Sequence, residues 1–155
     1  MKTDPIYRER LLKLADFLDK LPEQRFDYSR WVGASWQGDQ SLSCGTTACA
    51  LGWACTMPEF QELGLRLVKE PGHLAYPARG GDEGGVTSTD RAAEHVFGLT
   101  GSETTFLFRP AAADLCPEEW GEAPGDTASA KEVAEHIRRF VEWASPLAST
   151  ATEVK

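Results

Sequence analysis

The chain has 155 residues, with 16 basic and 24 acidic side chains and a net charge of −8. That length suits one domain with a core large enough to need no disulfide staples. The acidic balance speaks against nucleic-acid binding, which needs a basic footprint, and no apolar run approaches the length of a membrane span.

The opening Met-Lys-Thr-Asp-Pro carries no secretory signal, so the four cysteines are expected to be reduced thiols of a cytoplasmic protein. Asp4-Pro5 is a helix start, with the carboxylate as N-cap and proline at the first helical position. Tyr7, Leu11, Leu14, Leu18 and Leu21 recur at helical steps, and Pro22 stops the pattern. The spacing predicts an amphipathic helix over 5–20. Phe26, Tyr28, Trp31 and Trp36 follow within eleven residues. They are expected to form a lid over the next element rather than a ligand-stacking surface.

Ser43 to Pro58 holds three cysteines and is nearly free of charge. Ala48, Leu51, Ala54 and Cys55 fall at helical spacing, and Ala, Cys and Gly permit close approach. The stretch predicts a buried central helix over about 45–56. Leu65 to Val68 alternates apolar and basic residues, and His73 to Tyr76 is expected to pair with it across Glu70-Pro71-Gly72, giving a small β-hairpin over about 65–77. The glycine-rich run 79–85 reads as a surface loop. It lacks the lysine of a phosphate-binding loop.

Ser88-Thr89-Asp90 caps a helix over about 91–97, closed by Gly98. Thr100 and Glu103 have capping-box spacing for a second short helix through Phe108. Ser129 and Glu132 repeat that spacing. Val133, Ile137, Phe140 and Val141 then mark an amphipathic helix to about Trp143, which Pro146 is expected to end. The expected fold is therefore mainly α: a single compact helical domain over 1–146 around the 45–56 helix, with the small hairpin and a frayed tail over 147–155. Leu11, Leu14, Leu18, Trp31, Cys49, Leu51, Trp53, Val96, Phe97, Phe106, Val133, Ile137 and Phe140 are expected in the core.

Four readings bear on chemistry. Cys44, Cys49 and Cys55 could hold structural zinc, although zinc sites favour closer Cys-x₂₋₄-Cys pairs. Cys44 stands at the expected start of the central helix, where the dipole favours a thiolate, and His73 lies in the expected hairpin. That outline is loosely similar to papain and transglutaminase-type cysteine hydrolases and transferases. It lacks their glycine two residues before the cysteine, a following tryptophan and a third polar partner. Cys49 and Cys55 could also form a redox pair with Cys44 or Cys116, but the chain has no Cys-x-x-Cys. His95 and His136 fall within helices, where structural roles are commoner. Finally Asp114, Glu118, Glu119 and Glu122 form an acidic stretch suited to a basic partner.

Certain segments carry a resemblance. They are Arg25-Phe26-Asp27-Tyr28-Ser29-Arg30-Trp31, Cys44-Gly45-Thr46-Thr47-Ala48-Cys49-Ala50-Leu51-Gly52-Trp53-Ala54, Pro58-Glu59-Phe60, Phe97-Gly98-Leu99 and Leu107-Phe108. Together they resemble a family of small uncharacterised bacterial and bacteriophage proteins. Its members share a Cys-Gly-Thr-x-x-Cys-x-x-Gly-Trp-Ala core, a Phe-Gly-Leu segment and a final amphipathic helix. The likeness covers most of residues 5–143. It implies a small cytosolic accessory protein and assigns no catalytic residues. The leading expectation is a non-enzymatic protein that binds another protein, without cofactor, nucleic acid or membrane.

Overall fold

The computed structural model of the chain describes residues 1–33, 36, 38, 42, 47–69, 75–80, 87–109, 120, 121, 123–125 and 127–153, with side chains to position 144. Helix α1 spans Pro5–Asp19, and Asp4 Oδ1 accepts the Ile6 amide at 3.0 Å. Its buried stripe is Leu11, Leu14, Ala15 and Leu18. Helix α2 (Ala50–Ala54) is buried throughout, and α3 (Pro58–Gln61) turns Phe60 inward. Strands β1 (Leu65–Val68) and β2 (Tyr76–Arg79) pair antiparallel. Helices α4 (Thr89–Phe97), α5 (Gly101–Phe108) and α6 (Ala130–Glu153) complete the order. The domain is mainly α with one small hairpin, as its periodicity predicts.

The central element departs from its expected bounds. A helix over 45–56 would make Ala48 and Cys49 helical, but this backbone is extended. Ala48 bridges both Phe26 and Val32. Its carbonyl takes the Asp27 amide at 3.0 Å, and the Cys49 amide donates to the Arg30 carbonyl at 2.9 Å. These long-range bonds outcompete helix propensity, so α2 begins only at Ala50, with Cys49 as its N-cap. The aromatic segment after α1 does cover α2. The Trp53 indole donates to the Arg25 carbonyl at 2.8 Å and the Trp31 carbonyl lies over Gly52, while Tyr28 Oη reaches α5 and donates to the Leu107 carbonyl at 2.6 Å.

Two further bounds shift. The partner of β1 is 76–79 rather than 73–76, with Leu65 opposite Arg79 and Val68 opposite Tyr76. Arg79, expected in the glycine-rich loop, therefore belongs to β2, where its Nε donates to the Leu63 carbonyl at 2.9 Å. Helix α6 runs past Pro146 to Glu153. Glu142, whose carbonyl the proline leaves without a donor, is exposed, so water can take that bond.

Helices α4 to α6 begin as their caps predict. Ser88 Oγ accepts the Arg91 amide, and Ser129 Oγ accepts the Glu132 amide at 3.1 Å. Thr100 and Glu103 close a full capping box. The second Glu103 oxygen pairs with the N-terminal ammonium of Met1, both groups being nearly buried. Gly98 ends α4 at φ +66°, and a Cβ there would sit 2.7 Å from the Tyr7 ring. Helix α1 packs most extensively on α6, and Arg138 of α6 binds Asp16 and Asp19 of α1. Every residue expected in the core is buried except Trp31, which is half-buried under Arg109. No described helix is long and apolar enough to cross a membrane.

Candidate functional site

Helical spacing places His136, Arg139, Phe140 and Trp143 on one face of α6, at steps of three, four and seven residues. With Phe106 of α5, Trp120 and Gly121, they line a half-open cleft of about 160 Å³. The walls are mostly aromatic. Phe106 meets Trp120 edge-on at 5.3 Å between ring centres, and Trp143 lies 6.0 Å from Trp120 and 5.8 Å from Phe140. Trp143 is 41% exposed, a large apolar surface for a side chain already in ring contact with Trp120 and Phe140.

His136 is buried at the base of this face, and its Nε2 lies 2.9 Å from the Phe106 carbonyl. A carbonyl can only accept, so Nε2 carries the proton. Burial lowers the imidazole's pKa from its ordinary value. The bond to Phe106 partly offsets this, and the neighbouring Arg139 cation adds to the lowering. Burial and Arg139 thus favour the neutral ring, whose Nδ1 is an acceptor. Arg139 is exposed and makes no ion pair among the described residues. The cleft thus offers stacking faces, one cationic donor and one neutral acceptor.

The thiols tell a different story. Cys49 Sγ caps α2 by accepting the Gly52 amide at 3.5 Å, and Cys55 Sγ donates to the Leu51 carbonyl at 3.4 Å. Both side chains are buried. Burial pushes the Cys49 thiol up to about 12 and the Cys55 thiol well above its usual range. Neither is poised as a nucleophile, since the thiolate is the reactive form. Among the described residues no group of three or more His, Cys, Asp or Glu side chains could hold a metal ion.

Cys44, His73, Cys116, Asp114, Glu118, Glu119 and Glu122 lie outside the described residues. His95 stands on the exposed face of α4, where partial burial and the charges of Arg79, Arg10 and Lys2 lower its pKa.

The cleft is the feature that sequence reasoning missed. Phe106 and Phe140 read as core, and His136 as a structural histidine. The available signal was the His-x-x-Arg-Phe-x-x-Trp spacing, which sets polar and aromatic groups on one helical face. Comparison with protein-family models, with curated protein sequences and with solved structures finds no match to this chain.

Proposed function

We propose that this chain is a small accessory protein of a bacterium or bacteriophage. It works in the cytoplasm by binding another protein and performs no catalysis. The observation that carries this reading is the aromatic cleft, whose rim leaves Trp143 41% exposed. Partly exposed tryptophans beside an arginine are typical anchors of protein interfaces. The two described thiols and the buried imidazole support the same view. Cys49, Cys55 and His136 are each bonded to backbone and held in their neutral forms.

Partner chemistry follows from charge. The net charge of −8 steers basic surfaces toward the chain, and Glu118, Glu119 and Glu122 flank Trp120 in sequence. The acidic stretch and the cleft then serve one partner, the first for encounter and the second for retention. Affinity capture from bacterial lysate, run in parallel with the wild type and Trp143→Ala, tests this. A partner held by the wild type and lost by the variant is the expected result. Loss of a central interface tryptophan costs roughly 2 kcal/mol or more, about thirtyfold in affinity. No captured partner, or one held equally by both, would refute the reading.

A further inference from the structure

The cleft's dimensions and polar groups narrow what it can hold. Its volume of about 160 Å³ is close to the roughly 150 Å³ at which an apolar cavity takes up a single benzene ring. The walls present ring edges and faces at 72° between Phe106 and Trp120 and 56° between Trp120 and Trp143. A third flat ring finds both edge-to-face and offset contacts there.

The polar groups select further. His136 spends its one proton on the Phe106 carbonyl, so Nδ1 asks for a donor. Arg139 supplies only donors and asks for an acceptor. A carboxylate or phosphate cannot donate to Nδ1, and a phenylalanine ring satisfies neither group. A phenolic hydroxyl donates one hydrogen bond and accepts another, and it is uncharged at pH 7.

We infer that the cleft receives a tyrosyl side chain of the partner. The ring lies against Trp120, Trp143 and Phe106, and the hydroxyl bridges Nδ1 of His136 and the Arg139 guanidinium. This rests on the interaction reading above and names the group that the partner inserts. Trp143, half out of the protein in the free chain, becomes covered when the ring enters.

The full-length chain, isotopically labelled, is titrated with N-acetyltyrosinamide, N-acetylphenylalaninamide, 4-methylphenol and 4-methylanisole. The imidazole signals of His136 and the indole signals of Trp120 and Trp143 are followed. The tyrosine amide and 4-methylphenol are expected to move all three residues. Each should bind about tenfold tighter than its analogue lacking the donor, because a site built around a hydroxyl discriminates against its loss. Arg139→Ala, at an exposed position where the fold tolerates change, should reduce that preference severalfold.

Equal binding of the analogues, or unmoved His136 signals, overturns the inference. Binding of free 4-methylphenol without N-acetyltyrosinamide overturns the tyrosyl source. Failure of every probe while Trp143→Ala still abolishes partner capture removes the tyrosyl site and leaves the interaction reading standing. Probe binding with no captured partner does the reverse.

Discussion

Gly52 lies directly beneath the Trp31 carbonyl. A Cβ there would stand 1.9 Å from that oxygen and 2.9 Å from Ala48 Cβ. Both neighbours are held by the bridges that fix Ala48 between Phe26 and Val32, so neither can yield cheaply. Gly52→Ala is therefore expected to lower stability by roughly 3 kcal/mol, read as a fall in the urea midpoint. An unchanged midpoint would mean that the lid does not press on α2. His136 makes a second prediction. Its folded-state pKa is lowered, so the unfolded chain binds the proton more readily. Its stabilising share is whole above the ordinary value of 6.5 and is lost as pH falls below it toward the folded pKa. Urea titrations at pH 7.5 and 5.0 should show a smaller loss in His136→Gln than in the wild type. Equal losses would place the imidazole in water. Sequence shows that Gly52 is small and that His136 sits on a helix. Which carbonyl approaches each of them comes from residues twenty or thirty positions away.

At the scale of elements, the caps carried most of the legible information. Asp4, Ser88, Thr100 and Ser129 each bond an amide two or three residues on, so their partners lie within the same short window of sequence. The capping box is the strongest of these, and Thr100→Ala should cost about 1 kcal/mol in urea unfolding. Thr100→Ser, which keeps the hydroxyl, should cost less than half of that. The elements whose bounds moved share a different property. Helix α2 starts late because Ala48 and Cys49 are bonded to Arg25, Asp27 and Arg30, and β2 starts late because its register is set by pairing with β1. Neither competition is visible inside a short window.

For the whole molecule, the thiols of Cys49 and Cys55 report on opening of the core. Both are buried in the cluster that joins α1, α2, α4, α5 and α6. Alkylation at pH 8, followed residue by residue by peptide mass mapping, should be at least about a hundredfold slower at these two positions than in urea-unfolded chain. Rates equal to the unfolded chain would mean that α2 is not the centre of the molecule. The same assembly creates the cleft. Phe106 and the 136–143 face of α6 become neighbours because α5 and α6 pack, with the His136 bond to the Phe106 carbonyl crossing between them.

Sequence by itself determined the helical class, the caps, the apolar stripe of each helix and nearly all of the core, because these depend on chain-local periodicity and on the burial preference of each side chain. Only the tertiary structure decided the shortened α2, the strand register and the aromatic cleft. Each of these is a contest between backbone or side-chain partners far apart along the chain, and its outcome depends on which surfaces meet when the helices pack.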